Sequence, residues 1–128
     1  MLPISNGMKI LLVDDDAFLR DMYATKFGEE GYVVVVAKSG TQGLAVLKEE
    51  GDVDIVMLDM IMPGMSGVEM LKEISDLNLE KPPSCIVLSN QSENSDVDEA
   101  MKAGAVGYIV KAEMIPSDVV KEVKKLIA

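Results

Sequence analysis

Short runs of apolar, mostly β-branched residues alternate with stretches whose apolar positions recur every three or four residues, and the alternation repeats five times. The runs are Lys9 to Asp14, Tyr32 to Ala37, Asp54 to Leu58, Cys85 to Ser89 and Gly107 to Val110. Continuous apolar runs of this length predict strands of a parallel sheet covered on both faces. The intervening stretches predict helices. The first, from about Asp16 to Glu30, puts Leu19, Met22, Tyr23 and Phe27 on one face, with Gly31 as its left-handed terminator. The second starts at Ser39, which with Gln42 reads as a capping box, and ends near Gly51. The third repeats that signature at Ser66 and Glu69, with a stripe at Val68, Leu71 and Ile74 before the turn residues Lys81, Pro82 and Pro83. The fourth is expected to start between Ser92 and Asp96 and to bury Val97, Ala100 and Met101, with Gly104 near its end. The fifth follows Pro116, a residue suited to a first helical position, and carries Val119, Val120, Val123, Leu126 and Ile127 inward.

Strands joined by helices require right-handed crossovers, so the economical architecture is α/β, a single doubly wound five-stranded parallel sheet with helices on both faces. At 128 residues the chain reads as one domain able to bury about two thirds of its unfolded surface. Residues 1–8 read as an N-terminal tail and 9–128 as the domain. In such sheets, function collects beyond the carboxyl ends of the strands.

Composition narrows the function. A net charge of −10, from 22 acidic and 12 basic residues, opposes attraction to nucleic acid or anionic lipid, so no direct nucleic-acid partner is expected. The longest apolar run, Tyr32 to Ala37, is too short to span a bilayer, and Met1 to Met8 lack the features of a secretory signal. A cytoplasmic protein with no membrane partner is therefore expected. Histidine is absent, which removes the commonest general base and excludes a phosphohistidine on this chain. The lone Cys85 has no disulfide partner in the chain and reads as a small buried apolar residue. Met57, Met60, Met62, Met65 and Met70 read as core and loop filling.

The residues that end the strands form a chemical set. The first strand runs into Asp14, Asp15 and Asp16, the third into Asp59, the fourth ends at Ser89 and the fifth at Lys111. Two carboxylates about 4 Å apart repel by about 4 kcal/mol at an effective dielectric near 20, so such a site wants a cation. Oxygen ligands alone suit a hard divalent ion, Mg²⁺ first and Mn²⁺ as an alternative. A blander reading is that Asp14 to Asp16 cap the first helix and that Lys111 neutralises them. Asp59, followed by Met60-Ile61-Met62-Pro63-Gly64, has no helix to cap.

Val13-Asp14-Asp15, then Asp59-Met60-Ile61-Met62-Pro63 with Gly67 four residues after the proline, then Leu88-Ser89, then Gly107-Tyr108-Ile109-Val110-Lys111, resemble in order and spacing the motifs of response regulator receiver domains. The resemblance covers essentially the whole chain. It implies a flavodoxin-like (βα)5 fold with sheet order 2-1-3-4-5. It implies Asp59 as phosphoacceptor in a two-component system, taking a phosphoryl group from a phosphohistidine on a sensor histidine kinase or a histidine phosphotransfer protein. Asp15 and the backbone carbonyl of Ile61 would bind Mg²⁺ beside Asp59, and Asp14 would act through a water. Lys111 would supply positive charge, Ser89 would turn toward the phosphoryl group and Tyr108 would follow. Ile61 and Gln91 occupy positions that tune hydrolysis. The fourth helix, fifth strand and fifth helix would face a downstream protein target or an output domain, which is expected to lie outside this chain. Such a protein is a signalling switch that catalyses only its own phosphorylation and dephosphorylation.

Two residues depart from the family pattern. Ala112 follows Lys111 where proline after a cis bond is common; a non-proline cis bond costs about 3 kcal/mol, so the next loop is expected to be built differently. Asn90 replaces a small residue after Ser89 and is expected to alter the lifetime of an acyl phosphate. Competing classes fit less well. A haloacid dehalogenase-type phosphohydrolase needs a second acid where Ile61 stands, and a flavin carrier needs a phosphate loop where three aspartates stand. A receiver-like interaction module that is never phosphorylated would not need the acid set and Lys111.

Overall fold

The computed structural model describes residues 7–127, so most of the expected tail, residues 1–6, lies outside the described residues. The predicted elements occur in the predicted order. Strands β1 (Lys9–Val13), β2 (Val33–Ala37), β3 (Ile55–Leu58), β4 (Ser84–Ser89) and β5 (Gly107–Val110) alternate with helices α1 (Ala17–Glu29), α2 (Gly40–Glu50), α3 (Gly67–Asp76), α4 (Asn94–Lys102) and α5 (Pro116–Ile127). All strand pairs are parallel and the order is β2-β1-β3-β4-β5, the flavodoxin-like arrangement. Met8, assigned to the tail by the sequence, already pairs with the sheet: its carbonyl accepts from the Val33 N–H at 2.9 Å.

The two-residue period of the strands sorts the core into two layers. Ile10, Leu12, Ile55, Met57, Ile86, Leu88 and Ile109 pack with Tyr23 and Phe27 of α1 and with Val119, Val120 and Val123 of α5. Leu11, Val13, Val56, Leu58, Cys85 and Val87 pack against α2, α3 and α4. The central strands β1 and β3 are therefore buried on both sides, as their runs predict. Strand β2 corrects that expectation, because Val33 and Val36 are 50% and 41% exposed. It is an edge strand with β1 as its one neighbour, and the helices do not reach over all of it.

Helix ends follow local hydrogen bonding. Asp16 caps α1 by accepting from the Leu19 N–H at 3.1 Å, and Gly31 takes the left-handed conformation (φ +90°) behind it. At α3 the capping box is complete, with the Glu69 N–H on Ser66 Oγ (3.2 Å) and the Ser66 N–H on Glu69 Oε1 (3.1 Å). At α2 it is only half made. Ser39 Oγ accepts from the Gln42 N–H at 3.1 Å, but Gln42 Oε1 takes the Lys38 N–H at 2.7 Å instead. Met101, expected inside, is 44% exposed. The buried stripe of α4 is narrow, with Ala100 its one fully buried residue, and Met101 falls one position past it. Leu126 and Ile127 are partly buried against the α1 and α5 layer.

Phe27 is fully buried and meets the Tyr32 ring edge-on, 5.1 Å between centroids. Phe27→Ala is expected to lower the unfolding free energy by about 3–5 kcal/mol, read from the urea midpoint at unchanged slope. Cys85 is buried as its sequence setting suggests, and burial pushes its thiol up to about 12. Folded Cys85 thus holds its proton where the unfolded thiol has lost it. Its contribution to stability is complete below the ordinary thiol value of 9.0 and declines as pH rises toward 12. Iodoacetamide at mildly alkaline pH is expected to label Cys85 rapidly in urea and only slowly in the native protein, as peptide mass mapping would show.

Candidate functional site

The sheet order makes β1 and β3 neighbours, and their register pairs Val13 with Leu58. The next residue on each strand is an aspartate, and the ladder carries on between them: the Asp59 N–H donates to the Val13 carbonyl at 3.3 Å. Asp14 is tied to the other flank by its own N–H on the Ala37 carbonyl, 3.2 Å. Two carboxylates are thus delivered side by side by backbone pairing alone. With Asp15 they form a group in which one carboxylate oxygen from each lies within 4.8 Å of the others. Asp16 is not part of it. The acid run divides, one residue capping α1 and two joining Asp59.

Lys111 reaches this group from the end of β5. Its Nζ donates to Asp59 Oδ2 at 2.8 Å and to Asp14 Oδ2 at 3.0 Å, with the lysine side chain only 8% exposed. Ser89, buried and small at the end of the intervening β4, stands between the two strands. Burial works against the lysine's charge, but its hydrogen bonds to Asp59 and Asp14 and their negative charge outweigh it, and its pKa is raised. It is a fixed cation at any physiological pH. Three carboxylates against one ammonium leave a net negative site of hard oxygen donors, which fits a divalent cation of the Mg²⁺ class.

Asp59 is also held from below. Its Oδ1 accepts from the Ile61 N–H at 3.3 Å. The loop after it folds back so closely that the Gly67 N–H bonds the Met60 carbonyl at 2.9 Å, and a Cβ on Gly67 would run into the Asp59 carbonyl oxygen. Met57, Met60, Met62 and Met70 are buried, as packing residues would be, and Met65 is partly buried against the layer that holds Met60, Met62 and Met70. Ile61 itself is 62% exposed beside the acceptor, and Asn90 is exposed too. Lys111–Glu113 forms one 3-10 turn, and there is no cis peptide bond among the described residues.

Gln91 links the two residues expected to form the switch. Its N–H donates to Ser89 Oγ at 3.1 Å, and its carbonyl accepts from Tyr108 Oη at 2.7 Å. Tyr108 is half-buried, with a partner for its hydroxyl other than water. Burial pushes its phenol up; the Ser89 hydroxyl partly offsets this, while the Asp96 and Asp59 charges add to it. No residue pattern marks this tie, nor the role of Arg20, whose Nη1 donates to the Asp14 carbonyl at 2.9 Å. The available signal was an arginine one turn into a helix that begins just after an acid run.

The family profile described as response regulator receiver domain matches residues 10–124. The chain belongs to the response regulator receiver family. Chemotaxis protein CheY of Thermotoga maritima is 37% identical to this receiver domain over 121 residues, 94% of this chain and 98% of that protein. Transcriptional regulatory protein ResD of Bacillus subtilis is 32% identical over 96% of this chain and 49% of its own length. Response regulator SaeR of Staphylococcus epidermidis gives 34% over 93% and 50%. The chain therefore spans about half the length of ResD and SaeR. Among solved structures, chemotaxis protein CheY4 of Vibrio cholerae superposes with a TM-score of 0.85 at 27% identity, covering 93% of this chain and 98% of that one. Among the described residues no helix is long and apolar enough to cross a membrane.

Gly67→Ala is expected to cost this receiver domain about 1–3 kcal/mol through overpacking and to displace Asp59. A lower melting temperature together with weaker Mg²⁺ binding by calorimetry would show both.

Proposed function

We propose that this receiver domain is a Mg²⁺-dependent switch that accepts a phosphoryl group on Asp59. What carries the reading is the pairing of Lys111 with Asp59 and Asp14 inside a three-carboxylate group, since a helix-capping role requires neither the lysine nor Asp59. Asp15, Asp59 and the Ile61 carbonyl would hold the ion, with Asp14 acting through a water. When bound, it supplies positive charge opposite the incoming phosphoryl oxygens.

An anionic nucleophile meeting an anionic electrophile is opposed by charge. Lys111, already against Asp59 Oδ2, neutralises part of that repulsion and stabilises charge on the transferring group. The Asp59 carboxylate attacks phosphorus, the bond from phosphorus to the donor imidazole breaks, and the imidazole leaves with its electron pair. The product is an acyl phosphate. Hydrolysis returns Asp59 and inorganic phosphate, and Ile61, Asn90 and Gln91, of which the first two are exposed, would tune the access of the attacking water.

The phosphoryl group adds close to two negative charges and several strong acceptors. Ser89 can donate its hydroxyl proton to one of them while its oxygen keeps or releases the Gln91 N–H. Any shift of the Gln91 peptide is felt by Tyr108, because the tyrosine hydroxyl hangs on the same residue's carbonyl. The state that contacts the phosphoryl group is favoured, which is a population shift. Exposed Met101, Val106 and Ile115 on α4, before β5 and before α5 offer apolar contacts for a downstream target or an output domain. The donor would be a cytoplasmic sensor histidine kinase or histidine phosphotransfer protein, because this chain has no histidine of its own.

Incubation with acetyl phosphate and Mg²⁺ is expected to add one phosphoryl mass, mapped to Asp59, and Asp59→Asn is expected to gain none. Lys111→Met should slow the reaction by about 100-fold or more. No phosphoryl gain with Mg²⁺ present would leave an interaction module, and steady phosphate release from unrelated phosphomonoesters would indicate a hydrolase. Decay of the acyl phosphate is expected to differ between the native chain and Asn90→Ala, measured by loss of the phosphoryl mass over time.

A further inference from the structure

We propose that Arg20 is a positioning residue of the cation site, acting on the Asp15 carboxylate through the main chain. This rests on the reading that Asp14, Asp15 and Asp59 hold a divalent cation. Asp15 is the exposed member of the group, and its side chain has no hydrogen-bond or ion-pair partner among the described residues. Its carboxylate is therefore aimed by the backbone alone.

One planar peptide joins Asp14 to Asp15. A bond to the Asp14 carbonyl restrains that plane, and the plane places the Asp15 Cα from which the side chain leaves. Arg20 Nη1 makes that bond, at 2.9 Å. From the other side, the Asp16 N–H on Asp14 Oδ1, 2.9 Å, closes a tight turn around Asp15. The turn and the arginine together restrain the main chain on either side of a residue whose own side chain is not hydrogen-bonded.

Two further observations separate this from an ordinary structural arginine. Among the described residues Arg20 makes no ion pair, although acids surround it, and its Nε is buried without a hydrogen-bond partner. Arg20 also lines a cavity of about 10 Å³ shared with Asp14, Tyr23 and Asp59. A buried N–H without a hydrogen-bond partner is a cost that calls for an explanation. The reach of the side chain from the first turns of α1 to the end of β1 supplies one.

Charge and position pull in opposite directions, which makes the proposal testable by sign. A guanidinium beside a divalent cation repels it, so removing the charge by itself tightens cation binding. Losing the clamp on Asp15 weakens it, and indirect partners of metal ligands typically alter affinity by about 10–100-fold. In the full chain, R20M is expected to bind Mg²⁺ about 10-fold or more weakly by calorimetry, with the melting temperature of the metal-free protein close to native. R20K, which keeps the charge and one donor but not the planar fork, should fall between the two. With acetyl phosphate, saturating Mg²⁺ is expected to bring the R20M phosphorylation rate back to the native one, a change in metal requirement and not in the maximal rate. Equal or tighter Mg²⁺ binding by R20M overturns the proposal. Should R20M fail to fold, native Mg²⁺ affinity in R20K overturns it equally. A native chain that takes no Mg²⁺ removes the cation site itself, which is a separate and recognisable failure.

Discussion

Lys111 holds together a site that would otherwise push itself apart. The adjacency of β1 and β3 obliges Asp14 and Asp59 to sit beside each other, and no rearrangement of side chains alone can undo a juxtaposition imposed by a backbone ladder. A single ammonium bonded to both carboxylates is the least that makes the arrangement tolerable in the folded chain. Everything else at this edge is organised around that ammonium. The small buried Ser89 lies between its strand and Asp59, the loop after Asp59 is drawn tight by Gly67, and α1 starts early enough for Asp16 to leave the acid group and cap it. One lysine satisfies two acids but not three, and the remaining negative charge is what suits the site to a divalent ion.

Much of this is legible in the amino-acid sequence, for a definite physical reason. Buried parallel strands have no freedom in side-chain polarity, so the first polar residue after each run marks where the strand leaves the core, and these exits collect at one edge. Asp14, Asp59, Ser89 and Lys111 could be named from that rule. Caps are equally local, as the reciprocal bonds of Ser66 and Glu69 show. What escaped depends on neighbours distant in sequence. Whether Val33 and Val36 are covered depends on how far the helices extend over the sheet edge, and whether Met101 is inside depends on the width of the stripe that α4 presents. Gln42 found a nearer N–H in Lys38 than the one its motif predicts. The bond from Arg20 to the Asp14 carbonyl involves a main-chain acceptor, which no residue pattern encodes.

The tie from Ser89 through Gln91 to Tyr108 is of the same kind. Both bonds use the backbone of Gln91, so the connection does not depend on the identity of its side chain. Whatever side chain stands at position 91, its main-chain groups can carry the same link from Ser89 to the tyrosine.

The division of the interior by the sheet has a consequence of its own. The two apolar layers share no side chains: one belongs to α1 and α5, the other to α2, α3 and α4. A change of volume on one side is absorbed there, with the strands acting as a partition. The half built on α1 and the half built on α4 can therefore drift in sequence independently, while the acidic edge that both flank stays the same.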